Sequence, residues 1–190
     1  TASSPSTGTR SASFSVSAET ASPRTPTYRT AARATRSPAS LLSAAAMRRT
    51  GQPLSESTLA DLVQFLRTFA DRCHHGKEED QLFPAMRAKG MGGVLAVFLE
   101  EHEEGRGYLR TLASGASRAE RAAAARRYVG MLREHIEREN QILFPLADGL
   151  YSAEEHGVLA RAYEDVELDV VGAGGHEGLL AQLVRRTAEA

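Results

Sequence analysis

Two stretches of this chain carry the residue types and spacing of a metal site. His74-His75-Gly76-Lys77-Glu78-Glu79-Asp80-Gln81-Leu82-Phe83-Pro84 is echoed by His135-Ile136-Glu137-Arg138-Glu139-Asn140-Gln141-Ile142-Leu143-Phe144-Pro145. Each reads His, three residues, Glu, four residues, Phe-Pro. Positions four apart share one helical face, about 40° out of line. Each copy can therefore point an imidazole and a carboxylate at the same spot. Two such helices in one bundle can enclose a metal.

Histidine and glutamate on a buried stripe must be paired, hydrogen-bonded, metal-bound or shifted in pKa. Here the set matters more than any member. His74, His102 and His135 fall on three successive inward helix lines, and two of them carry Glu one turn on. Imidazole plus carboxylate suits iron, manganese or zinc, whereas a single cysteine argues against a thiolate site. Cys73 adjoins His74 in sequence but sits roughly 100° away around the helix, and reads as a core cysteine. His156 and His176 read as surface or helix-start residues.

Two carboxylates from different helices can hold two metals roughly 3.5–4 Å apart. In that reading Glu78 and Glu139 bridge, and His74, His102 and His135 supply terminal nitrogens. Open positions on ferrous iron bind dioxygen, nitric oxide or peroxide. A carrier or sensor stabilises that ligand; a weak peroxidase or oxidase lets it react. The pattern accommodates both.

Helices must position these residues. No period-two alternation occurs anywhere in the chain, which predicts an all-α protein. Ser37-Pro38 can start a short alanine-rich helix to residue 49, which contains no His, Asp or Glu. A second helix is expected after Ser55 or Ser57. Its line Leu66, Ala70, His74, Glu78 and Leu82 is flanked by Leu62, Phe69 and Cys73. The neighbouring line Arg67, Asp71, His75 and Glu79 is polar, so His75 is expected to face water and to matter much less than His74. Gly76 costs roughly 1 kcal/mol of helix propensity, which predicts a bend or close packing in return.

Gly90, Gly92 and Gly93 mark a turn, and the third helix is expected over residues 94–112. Its inward line is Phe98, His102, Gly105 with Arg106, and Leu109. Ser117-Arg118-Ala119-Glu120 is a capping-box signature for the fourth helix, whose inward line is Tyr128, Met131, His135, Glu139 and Ile142. Pro145 ends or kinks it. A second box, Ser152 to Glu155, opens a helix to about residue 169. Gly172 to Gly175 breaks it, and a last short helix holds Leu179, Leu180 and Leu183.

Bulk properties narrow the classes. The 190 residues suit one domain with a tail, or two small ones. A formal net charge of -1 implies no bulk attraction to nucleic acid or anionic membrane. No run of 18 apolar residues exists, which argues against a membrane span. The lone cysteine fits a reducing compartment and a cytoplasmic location. Residues 1–36 are mostly Ser, Thr, Ala, Pro and Arg, and read as a disordered low-complexity tail. Their Arg-rich, acid-poor composition is also that of an organelle transit peptide.

The strings HHGKEEDQLFPAM, EHEEGR and HIERENQILFPLAD together resemble the hemerythrin and HHE cation-binding family, over about residues 55–148. That resemblance implies an antiparallel four-helix bundle over residues 37–150, with residues 151–190 as a C-terminal helical extension. It implies a non-haem di-iron centre: terminal His74, His102 and His135, bridging Glu78 and Glu139. It also implies a role in binding or sensing oxygen, or in redox handling.

Two departures stand out. The family's first-helix histidine has no counterpart before His74, and Arg106 stands where many members carry a further third-helix histidine. Arginine does not ligate in its normal state. These departures predict one tightly held metal and a weak second, with zinc or manganese as substitutes for iron. They also keep open a metal-free helical interaction module.

Overall fold

The structure, a computed structural model, describes residues 55–188. The tail expected over residues 1–36 and the helix expected over 38–49 lie outside the described residues. Among the described residues the chain consists of helices joined by turns, with no strand.

Ser55 caps the first described helix, its hydroxyl accepting the Thr58 amide at 3.1 Å. From there helix runs to residue 88 in four segments. They are α1 Glu56–Leu66, π1 Arg67–His75, π2 Glu78–Leu82 and α2 Phe83–Ala88. Gly90, at φ 84, turns the chain. A 3₁₀ turn, Gly92–Leu95, then leads into α3 Ala96–Ala113. The predicted box at Ser117 and Glu120 forms in full and starts α4 Arg118–Arg138. π3 Glu139–Leu143 and α5 Phe144–Leu150 continue it without a stop at Pro145.

The two Phe-Pro pairs account for π2 and π3. A proline inside an α-helix has no N–H for the carbonyl four residues back, and its ring collides with that carbonyl. Pro84 would collide with Asp80, and Pro145 with Gln141. The helix answers by widening one turn. The Phe83 amide donates to Glu78 O and the Phe144 amide to Glu139 O, five residues back in each case. Beyond the wide turn each proline sits in the first turn of a fresh α-helix, where its missing N–H costs nothing.

The apolar residues of these rods form two plugs. Leu66, Phe69, Leu109, Tyr128, Leu132 and Ile136 belong to one. Leu82, Phe83, Phe98, Leu143 and Phe144 belong to the other. Fully burying a phenylalanine contributes about 1.5–3 kcal/mol. In sequence the candidate site residues fall between the plugs on every rod: 74–78 lies between Phe69 and Leu82, 102 between Phe98 and Leu109, and 135–139 between Leu132 and Leu143. The polar groups are thus a layer sealed on both sides by apolar packing. Gly105 permits close approach of α3 and α4, since a Cβ there would meet Met131 Cε at 2.9 Å.

The second predicted capping box, Ser152 with Glu155, starts α6 Ala153–Val171. Gly172 and Gly175, at φ 83 and 56, break the chain before α7 Gly175–Ala188. α6 lies along π1 and π2, with Lys77 Nζ, between those segments, donating to Glu167 at 2.6 Å, and α7 lies along α1 through Leu183. No helix of the described residues is long and apolar enough to cross a membrane.

Candidate metal centre

Three rods deliver the polar layer. His74 and His75 close π1, Glu78 opens π2, His102 lies on α3, His135 on α4, and Glu139 opens π3. All are buried; Glu78, His102, His135 and Glu139 are at most 1% exposed. Glu139 Oε1 lies 3.0 Å from His74 Nε2 and 2.8 Å from His135 Nε2. Glu78 Oε2 lies 3.2 Å from His102 Nε2 and 3.8 Å from His74 Nε2. The five residues singled out from the sequence, His74, Glu78, His102, His135 and Glu139, are therefore brought together.

A second ring of carboxylates sets the tautomers. His102 Nδ1 donates to Glu79 Oε1 at 2.7 Å, and His135 Nδ1 donates to Glu101 Oε2 at 2.9 Å. Glu101 is held in turn by Arg138. With the proton on Nδ1, each Nε2 presents a lone pair to the interior, the arrangement of metal-ligating histidines. Each lone pair then faces a carboxylate oxygen. Two acceptors at 2.8 and 3.2 Å repel one another until a proton or a metal cation lies between them.

Seven buried atoms of this layer have no hydrogen-bond partner: both nitrogens of His75, both oxygens of Glu78, Nε2 of His102 and of His135, and Oε2 of Glu139. Each such orphan costs about 1–3 kcal/mol. One group of donor atoms within 4.8 Å of one another comprises His74, Glu78, His135 and Glu139; a second comprises His75, His102 and His135. The donors fit a cation of the iron, manganese or zinc type.

Charge and burial compete at each site. Burial alone would push the His74 imidazole down, but the Glu78 and Glu139 carboxylates outweigh it and hold His74 above its ordinary value. The same balance, through Glu139 and then Glu78, raises His135. Burial would raise Glu139, yet His74 and His135 hold it far below the usual carboxylate range. His75 has no carboxylate within hydrogen-bond reach. Its burial, reinforced by the three other imidazoles, holds it well below the ordinary value, so it is neutral.

His75 corrects the sequence-based expectation. It does not face water: it is 5% exposed, and its ring stacks on that of His102 with centroids 3.8 Å apart and planes 8° from parallel. The expectation assumed α periodicity. In π1 the Gly76 amide reaches back five residues to Asp71 O, so each turn holds more residues and neighbours are separated by a smaller angle. Adjacent His74 and His75 can then share the inner face. A wide turn also displaces the other copy. Ile142, expected inside, is 45% exposed, and Leu143 is buried in its place. Gly76 is not a point of close packing, since a Cβ there would meet nothing within 4 Å.

Arg106 does not reach into the layer. Its Nε donates to Asp71 at 2.7 Å and its terminal nitrogen to Glu79 at 2.8 Å. Two carboxylates thus neutralise it, and through Glu79 it steadies the partner of His102. Arg106 and Asp71 also line a surface cavity of about 400 Å³. Cys73 is buried and unpaired with any other cysteine, and burial raises its thiol above the ordinary value. His156 is half-buried against Tyr151.

Helices, with no strand among the described residues, around a buried layer of imidazoles and carboxylates outline a helical protein whose interior could hold a metal. Residues 33–147 match the hemerythrin HHE cation-binding domain, and the chain belongs to that family. The match begins upstream of residue 55, where the resemblance of the strings starts. Uncharacterised proteins of Mycobacterium tuberculosis and Mycobacterium bovis are 27% identical over 132 residues, covering 64% of this chain and 52% of theirs. The chain thus spans about half the length of the curated relatives it matches. No solved structure matches it significantly.

Proposed function

We propose that this chain is a non-haem iron-binding protein that binds or senses oxygen or another small redox ligand. One observation carries the reading: two imidazole lone pairs, fixed by Glu79 and Glu101, each abut a buried carboxylate oxygen. Such contacts call for a proton or a metal cation between the facing atoms, and the donor set suits a metal. His74, Glu78, His102, His135 and Glu139 are the proposed ligands, with Glu78 and Glu139 between the histidines. Bound ferrous iron would supply a redox-active centre with positions open to dioxygen, nitric oxide or peroxide.

The chain's own residues would then do three things. Glu79 and Glu101 hold the Nδ1 protons and so aim each Nε2 inward. Phe83, stacked on His102 at 5.8 Å, and Phe98, edge-on to His135 at 6.0 Å, exclude water from one side. Leu66 and Phe69 close the other. The antiparallel four-helix arrangement, the C-terminal extension over residues 151–190 and a cytoplasmic location belong to the same proposal. The family match and the free buried Cys73 support them.

Metal analysis of protein purified from its own host, followed by anaerobic titration with ferrous iron, tests the reading. Iron uptake and a broad visible band on admitting air are expected. Sustained peroxide turnover would move the assignment to a weak peroxidase or oxidase. A folded protein that takes up no divalent ion would leave a metal-free helical interaction module.

A further inference from the structure

We propose that His75 is a metal ligand, supplying from π1 the nitrogen that a bundle of this kind would otherwise draw from elsewhere in the chain. This rests on the metal-binding reading above and deepens it.

The donor inventory carries the inference. His135 belongs to both groups of convergent donors, yet only its Nε2 is free, because Nδ1 donates to Glu101. One nitrogen with one lone pair serves one ion. His135 Nε2 lies 2.8 Å from Glu139 Oε1, which is 3.0 Å from His74 Nε2. It therefore falls to the ion bound by His74 and Glu139. Without His75 the other ion would have a single imidazole, His102, with Glu78 beside it at 3.2 Å.

His75 supplies the missing donor. It is buried, and neither ring nitrogen has a hydrogen-bond partner. The nearest carboxylate oxygen, Asp71 Oδ1, is 3.7 Å from Nδ1, beyond hydrogen-bonding distance, and Asp71 is already engaged by Arg106. A buried imidazole that serves only packing needs at least one partner for its N–H. Its donor nitrogen lies within 4.8 Å of that of His102. The two rings are stacked with centroids 3.8 Å apart, and because a lone pair lies in the plane of its ring, His75 has to tilt out of this stack for both nitrogens to face one ion. The two ions would then each have two nitrogens, His74 with His135 and His75 with His102, and Glu78 and Glu139 would run between them.

Arg106 fits this division. Standing one turn after His102, it does not ligate. It ties Asp71, behind His75, to Glu79, behind His102, and so braces both imidazoles of the second ion from outside.

Anaerobic titration of the full chain with Mn²⁺ and with Fe²⁺, read by calorimetry and equilibrium dialysis, tests the assignment in wild type and in His75→Phe. Phenylalanine keeps the stack on His102 and removes both nitrogens. Two ions per wild-type chain are expected, with the variant retaining one at wild-type affinity and binding the second at least about 100-fold more weakly, since losing even an outer partner of a ligand costs about 10–100-fold. If wild type holds one ion only, its loss in the variant supports the assignment, and its retention overturns it. Unchanged stoichiometry and affinity overturn it while leaving the metal reading intact. A wild type that binds no ion brings down the metal reading and this inference with it. Should His75→Phe fail to fold, ¹⁵N spectra of the wild-type imidazoles on Zn²⁺ loading decide. The His75 nitrogen must move to a metal-bound position together with that of His102; a His75 resonance unaltered by loading overturns the assignment.

Discussion

Glu79 accepts the Nδ1 proton of His102 across 2.7 Å while the same oxygen accepts from Arg106 at 2.8 Å. A residue of the polar line beside the His74 stripe is thereby the group that orients a buried imidazole. The two bonds hold its carboxyl below the usual range although burial opposes them. Glu79→Ala should free His102 to rotate and to take its proton on Nε2. Metal affinity should fall about 10–100-fold, and Glu101→Ala should do the same through His135. Competitive chelator titration checks both. Affinities within threefold of wild type would show that the inner layer alone sets the tautomers.

Protons compete with metal for the same lone pairs, and the competition has a sign. His74 and His135 are held above the ordinary imidazole value by Glu78 and Glu139 in the metal-free protein. Both therefore stay protonated to a higher pH than a free histidine. Metal must displace those protons. On acidification loading should start to fall already above pH of about 6.5, the ordinary value. Affinity should rise with pH until the elevated values are passed. Calorimetry in buffers of differing ionisation heat reads the protons released; loading that is flat down to pH of about 5.5 would contradict the assignment of these imidazoles.

Pro145 tests the origin of π3. Pro145→Ala restores an N–H for Gln141 and removes the ring that forces the wide turn. The metal-free variant should be at least as stable as wild type. Its helix should tighten, turning Glu139 out of register with His74, and metal affinity should drop by roughly tenfold or more, in the range expected for a disturbed ligand shell. Thermal melts and metal titration separate the two effects. Unchanged affinity would mean that packing rather than the proline maintains the turn.

Gly76 offers a simple stability test. It has φ -59 and ψ -42, ordinary helical values, and a Cβ there would touch nothing within 4 Å. Gly76→Ala should stabilise the protein by about 0.5–1 kcal/mol through reduced freedom of the unfolded chain. That is a rise in Tm of a few degrees. A destabilised variant would point to a strain absent from the backbone angles.

The sequence by itself determined the helices, their caps and the convergence of five donors. Ser117 with Glu120 and Ser152 with Glu155 are local chemistry, complete within four residues, so their spacing is enough to read them. His74 with Glu78, and His135 with Glu139, are four apart and share a face whether the turn is α or slightly wider. That tolerance made them legible. His75 and Ile142 were not legible, because each depends on how many residues a turn holds. Periodicity arguments assume 3.6, and a π turn rotates every later side chain relative to that count. The Phe-Pro pairs were a local signal for π2 and π3. π1 contains no proline, and only the packed structure shows it. The partners of the histidines are also tertiary: Glu79 meets His102, Glu101 meets His135 and Arg106 meets Asp71, each across 23 or more residues of chain. No spacing rule reaches across that separation, because rod against rod is set by apolar packing above and below the layer, and the polar contacts follow from where that packing leaves them.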